Sequence, residues 1–254
     1  MVIIKSSQEI SKIRKSCQIA ASTLQKVMDN IRKGITTLEL NQIAEDYILK
    51  QGAKPAFKGY KVGKNEFPYV ICVSINEEVV HGLPGKRRIK EGDIVSIDIG
   101  TNYQGYFGDT AATKAVGKVE SRIEELIAKT REALFEGISQ AKPGNHLGDI
   151  SYAIQETVEK AGFSVVREYV GHGIGLNLHE DPQIPNYGTP HTGIALQKGM
   201  VLAIEPMVNM GDYRTKVSNN NWTVITKDRS WSAHFEHTIV ITENSNEILT
   251  VLSK

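Results

Sequence analysis

Apolar residues recur at three- and four-residue steps from Ile10 through Ile13, Cys17, Ala20, Leu24, Val27 and Met28 to Ile31, with Lys12, Lys15, Gln25 and Lys26 between them. That spacing keeps one face of a helix apolar and predicts a long amphipathic helix laid on a core. Ser7 stands ahead of the stripe as a candidate cap, and Gly34 follows it as a stop. Thr36 and Thr37 open a second helix with Leu40, Ile43, Ala44, Tyr47 and Ile48 as its buried stripe, ending at Gly52. From Val70 the character changes. The β-branched runs Val70-Ile71-Cys72-Val73-Ser74-Ile75 and Ile94-Val95-Ser96-Ile97-Asp98-Ile99 predict buried strands. No Pro/Ser-rich linker or low-complexity tract divides the chain.

A faint repeat organises these elements. Lys33-Gly34 to Gly52 aligns with Pro143-Gly144 to Gly162 at an offset of 110, and Gly92–Asp98 aligns with Gly199–Glu205 at an offset of 107. Two helices followed by strands that end in an acid therefore occur twice. The expectation is one catalytic domain over 1–254, of the α+β class, made of related halves at about 8–118 and 119–254 that share one sheet system.

Composition narrows the partners. The 254 residues are 40% hydrophobic and 23% charged, with 30 Lys and Arg against 29 Asp and Glu, a net charge of +1. A surface built for DNA or an anionic membrane needs a basic excess that is absent here. No apolar run approaches the roughly 20 residues of a membrane span, and no secretory leader is evident. Cys17 and Cys72 are the sole cysteines and form no framework, which fits a reducing, cytoplasmic setting.

The chemistry lies in acids on apolar strands. Asp98 ends one strand and Asp109 lies just beyond it. A hairpin centred between Tyr103 and Gln104 would set the two directly opposite, with Cβ atoms roughly 4.5–5.5 Å apart. Two bare carboxylates at that range repel unless a proton or a divalent cation intervenes. Glu205 closes Met200-Val201-Leu202-Ala203-Ile204 before Pro206, and Glu236 sits in the apolar run His234–Ile241; neither has a Lys or Arg in its immediate neighbourhood, Lys227 and Arg229 being the nearest ahead of Glu236. A buried glutamate needs a partner, so metal is the preferred reading. Gly171-His172-Gly173-Ile174-Gly175-Leu176-Asn177-Leu178-His179-Glu180 places two histidines in a glycine-rich loop. It matches neither a dinucleotide fingerprint nor a zincin helix. His81 follows a strand into a turn. Asp98, Asp109, His172, Glu205 and Glu236 make an oxygen-rich donor set suited to paired Mn²⁺, Fe²⁺, Co²⁺ or Zn²⁺. Two such ions about 3.5–4 Å apart, bridged by carboxylates, are used by aminopeptidases, phosphatases and nucleases.

In their order along the chain, these residues resemble the type I methionine aminopeptidases. Asn76-Glu77, His81-Gly82, His179-Glu180-Asp181-Pro182, Glu205-Pro206, Lys227-Asp228-Arg229-Ser230 and Glu236-His237-Thr238 extend the resemblance over nearly the whole chain. It implies the pita-bread fold, two pseudo-symmetric α/β halves around a curved antiparallel sheet. It further implies a metallo-aminopeptidase, a hydrolase that removes the initiator methionine from nascent polypeptides. Under it, Asp98 would chelate one divalent ion, Asp109 and Glu236 would bridge two, and His172 and Glu205 would complete the second. Glu205 would also shuttle a proton, His179 would hold the scissile carbonyl, and His81 would contact the peptide nitrogen or leaving group. Phe67, Cys72 and Trp222 would line the methionine pocket, or serve as ordinary core. Asn76 and Ser232 match a structural monovalent cation site. Leu178, where many members carry Phe, and the long polar stretch Lys61–Glu66 depart from the pattern.

Two other readings share the fold: a dipeptidase directed at Xaa-Pro, and a peptide- or histone-binding module, which usually lacks the metal ligands retained here. Under the type I resemblance, neither the insertion of the type II branch nor the extra N-terminal domain usual in the proline-specific relatives is expected. Lys86-Arg87-Arg88 with Lys90 offers either a transient ribosome contact or a solvated turn. A monomer is the family expectation.

Overall fold

The computed structural model describes residues 2–252; Met1, Ser253 and Lys254, at the ends of the expected 1–254 domain, lie outside the described residues. Helix α1, Ser7–Asn30, carries the predicted stripe, with Ile13, Cys17, Ala20 and Val27 buried. Its cap is Ser6 rather than Ser7: the Ser6 hydroxyl accepts from the Glu9 N–H while Glu9 reaches back to the Ser6 N–H. This is the reciprocal Ser-x-x-Glu arrangement, which needs the acid three residues on, and Ser6 has it. Helix α2, Thr37–Lys50, begins the same way, with Thr36 and Glu39 as the reciprocal pair. Losing such a cap costs about 1 kcal/mol. Thr36→Ala should therefore lower the calorimetric Tm by roughly 2–4 °C for a domain of this size.

Helices α3, Ser121–Gln140, and α4, Leu147–Lys160, follow in the second half. Bounds of α2 and α4 differ by the same 110 positions as the repeat. Between the helix pairs runs a nine-stranded antiparallel sheet. Its main path is Lys54–Pro55, Ile94–Tyr103, Tyr106–Ala115, Glu236–Ile241, Val201–Ile204, Gly171–Gly173 and Glu180–Ile184, with Cys72–Ile75 beside Ile94–Tyr103 and Asn246–Ile248 beside Glu236–Ile241. The repeat-related strands of the two halves occupy corresponding places on either side of the central pairing, where Glu236 faces Ala111 and His237 faces Thr110.

Alternation assigns the faces. Val95, Ile97 and Ile99 point into the core under α1 and α2 together with Leu40, Ala44 and Ile48. Asp98 lies on the opposite face of its strand, since successive side chains point to opposite sides. The second half has its own core, in which Leu126, Leu134, Ile150 and Ile154 meet Leu202, Ile204 and Ile239. Each fully buried Leu or Ile contributes about 1.5–3 kcal/mol, so both halves are anchored independently of the acids between them.

One expectation needs correction. Asp98 pairs with Ala111 and Asp109 with Gly100, because Gln104 and Gly105, both at positive φ (53° and 86°), form the turn. A two-residue hairpin turn of this hand requires φ > 0 at both centre positions, which Gly105 adopts without penalty. Moving the turn centre by one residue moves each partner by two. Asp98 and Asp109 therefore remain on one face, as diagonal neighbours rather than a direct pair.

Candidate metal centre

The sheet brings the five predicted ligands to one cavity of about 280 Å³. Asp98 and Asp109 come from the hairpin of the first half, His172 from Gly171–Gly173, Glu205 from the end of Val201–Ile204, and Glu236 from the start of the central strand. Ligand atoms of Asp109, His172 and Glu236 all lie within 4.8 Å of one another. Glu205 Oε1 is 3.5 Å from His172 Nε2, and Asp98 is within hydrogen-bonding reach of Asp109. The backbone around them is cross-tied: Thr238 Oγ1 donates to Asp109 O (2.8 Å), Thr110 Oγ1 donates to Glu236 O (2.9 Å), and Thr110 N–H donates to Asp109 Oδ1 (3.0 Å). Gly171 and Gly173 are explained by close approach, for a Cβ there would stand 2.4 Å from Ala203 O and 2.1 Å from Asp181 O.

Electrostatically the cluster is under load. Burial pushes the Asp98, Asp109, Glu205 and Glu236 carboxyls up, and mutual negative charge adds to the rise for Asp109, Glu205 and Glu236. Among the described residues no Lys or Arg forms an ion pair with any of them. Asp98 Oδ1 and Glu236 Oε1 are buried with no hydrogen-bond partner. Burial also lowers His172 to about 3, leaving it neutral. Its Nδ1 lies 2.9 Å from Gly173 O, so the ring's proton sits there and Nε2 is free to coordinate. Orphaned carboxylate oxygens, a neutral imidazole and no basic partner form a donor set that fits hard or borderline divalent cations.

The cavity also has an apolar wall, which reaches the acids at Cys72, the cross-strand partner of Asp98. Phe67, Cys72 and Trp222 form it, with Trp222 edge-on to Phe67 at a centroid distance of 5.2 Å. His81 borders the cavity at positive φ (58°), and burial lowers it to about 4. His179 stands at the mouth, open to solvent yet crowded enough that desolvation lowers its basicity too. Its ring is 4.4 Å from that of His172, and its Nδ1 lies 2.7 Å from Tyr60 Oη. With the phenol donating, the imidazole proton stays on Nε2.

Two neighbours of the site escaped the sequence reading. Tyr60 carries no local signal. His234 did carry one, since residues 234 and 236 share a face by period-two parity. Its Nε2 is 3.7 Å from Glu205 Oε2 and has no hydrogen-bond partner. Asn76 and Ser232 do meet, through Ser232 N–H to Asn76 O (2.9 Å). The Asn76 side chain, however, is engaged by Asp93 and the Ile94 N–H. In the basic cluster, Arg87 pairs with Glu78 (3.0 Å) and Arg88 donates to Gly34 O (2.6 Å), so two of its four charges brace the fold.

The model of metallopeptidase family M24 matches residues 11–243. The chain belongs to that family. It is 54% identical over 250 residues to methionine aminopeptidase 1 of Bacillus subtilis, covering 98% of this chain and 99% of that one. It is 50% identical to the methionine aminopeptidase of Clostridium acetobutylicum, covering 99% of each. The crystal structure of the Thermotoga maritima methionine aminopeptidase superposes with a TM-score of 0.96 at 53% identity, covering 98% of this chain and 99% of that one. The Pyrococcus horikoshii prolidase superposes at 0.80 with 28% identity, but this chain covers 65% of it. The expected pita-bread α+β fold and the metallopeptidase assignment are borne out by this M24 membership.

Proposed function

We propose that this M24 peptidase removes the N-terminal methionine from nascent polypeptides by hydrolysing the first peptide bond. The observation that carries the reading is the cavity itself, which brings four carboxylates and a neutral imidazole together with an apolar wall of Phe67, Cys72 and Trp222. Asp98 would hold one divalent ion (Mn, Co, Fe or Zn), Asp109 and Glu236 would bridge two, and His172 with Glu205 would hold the second. When bound, two divalent ions lower the pKa of water towards neutrality and polarise the carbonyl under attack.

The remaining work falls to side chains of this chain. Glu205, whose proton affinity burial raises, is suited to take a proton from water and return it to the leaving amine. His179, which lines the cavity and, with Tyr60 Oη donating to its Nδ1, carries its proton on Nε2, donates to the scissile carbonyl oxygen as charge develops there. His81 contacts the peptide nitrogen or leaving group. Phe67 and Trp222 offer a thioether contact area and sulfur–aromatic attraction, and Cys72 adds a soft wall. A first residue can place its side chain against the apolar wall and its α-amine among the carboxylates together; an interior residue has no such amine.

The site of action we infer is the cytoplasm, where the free buried thiols Cys17 and Cys72 suit a reducing milieu, and the working species is a monomer. No helix among the described residues is long and apolar enough to cross a membrane. A monovalent cation beside Asn76 O and Ser232 completes the proposal. The test is release of methionine from Met-Ala-Ser after reconstitution with Mn²⁺ or Co²⁺, beside an Xaa-Pro dipeptide. Methionine release is expected from the first alone. Preference for Xaa-Pro would transfer the protein to the prolidase reading, and no hydrolysis with any divalent ion would refute both.

A further inference from the structure

The segment that carries His179 is braced by a residue from the far end of the chain. Lys5, in the extended arm ahead of α1, forms an ion pair with Glu180, the residue next to His179. The two side chains are only 2% and 4% exposed. A lysine ammonium is almost never buried to that degree unless paired, because its desolvation is costly. Glu180 is further committed by accepting the Asn177 N–H at Oε1 (3.0 Å). Gly175 N–H bonds Asn177 O (3.1 Å), and the Lys5 stem lies against Gly175, where a Cβ would come within 2.4 Å of Lys5 Cε. The arm is itself fixed, since Lys5 N–H donates to Gly199 O (2.9 Å) just ahead of the strand that ends at Glu205.

We propose that the buried Lys5–Glu180 ion pair is a positioning device that holds the 175–180 turn so that His179 presents Nε2–H to the scissile carbonyl. Neither residue lines the cavity, so both act through His179 and not on substrate. His179 is then located from two sides, its ring by Tyr60 and its backbone by Lys5. The inference rests on the donor role given to His179 under the proposed function. Leu176 and Asn177 are exposed, so besides buried Leu178 and the Phe107 N–H bond to Gly175 O (2.8 Å) the Lys5–Glu180 pair is the tie that fixes the segment next to His179.

The test uses Lys5→Met, which keeps the stem and removes the charge, and Lys5→Met with Glu180→Gln, which leaves no unpaired buried charge and still offers an acceptor to Asn177 N–H. In the metal-reconstituted enzyme, kcat for Met-Ala-Ser is expected to fall by about 10- to 100-fold in both, a loss of the size that a displacement near 1 Å produces. KM should stay within about twofold, and metal content should be unchanged. The decisive arm repeats both substitutions in a His179→Ala background, where kcat should change by less than about twofold. An equal loss with and without His179 would mean a general structural role and overturn the proposal, as would wild-type kcat in the double variant. Amide exchange at residues 175–180 is read in parallel, without activity, and faster exchange is expected in the double variant. Unchanged exchange would overturn the brace even if the wild-type protein released no methionine, an outcome that by itself counts against the aminopeptidase reading alone.

Discussion

Replacing Asp109 by alanine should reduce bound divalent metal to one equivalent or none and lower turnover on Met-Ala-Ser by on the order of 10³-fold, the size expected when several kcal/mol of transition-state charge stabilisation is lost. The same variant should show the opposite sign in metal-free protein. A carboxyl whose folded pKa is raised stabilises the fold while it is protonated. Its contribution is fully present below the ordinary carboxylate range and is lost as pH rises towards the elevated folded value. Burial and the charges of Asp98 and Glu205 raise Asp109 in this way, so at neutral pH it weighs on the metal-free fold. In EDTA at pH 7.5, as a chosen working condition, Asp109→Ala is therefore expected to melt at or above the wild-type temperature. Added Mn²⁺ should raise the melting temperature of wild type by clearly more than that of the variant, which keeps one equivalent at most. A variant that melts lower in EDTA and still responds fully to Mn²⁺ would contradict a metal role for Asp109.

His179→Ala should retain full metal content and lower kcat by about 10²–10³, the usual cost of removing one donor to a developing oxyanion. The structure sharpens this expectation. Lowered basicity keeps the ring neutral through the physiological range, and the bond from Tyr60 Oη leaves Nε2 as the donor. Loss should therefore appear in kcat, with KM for the tripeptide little changed, since the donor works chiefly as charge accumulates on the carbonyl oxygen. Metal analysis beside the kinetics separates this from a ligand defect, and normal turnover would remove His179 from the reaction.

Much of this architecture was legible before any coordinates. The stripe of α1 and α2 follows from three- and four-residue spacing, and the Asp98 strand shows its faces by alternation. Glu205 and Glu236 stand out because an acid on a β-branched strand demands a partner. The repeat at offsets of 110 and 107 already sets the acids of one half against those of the other. The hairpin shows where local reasoning reached its limit. Residue parity put Asp98 and Asp109 on one face, yet the turn chemistry of Gln104-Gly105 decided that they are diagonal neighbours.

Long-range juxtapositions were invisible to that reasoning. Lys5 meets Glu180 across 175 positions and Tyr60 meets His179 across 119, and neither pair has a periodic signature. By itself the sequence determined the first two helices and the strands that carry Asp98, Glu205 and Glu236, which face the helices bury, and which acids had to find a counter-charge, because these depend on local geometry and on the cost of burying charge. Only the tertiary structure decided which oxygens share a cavity, which imidazole nitrogen is left free, and which distant lysine steadies the turn beside it, because those depend on how two separately packed cores close on one sheet.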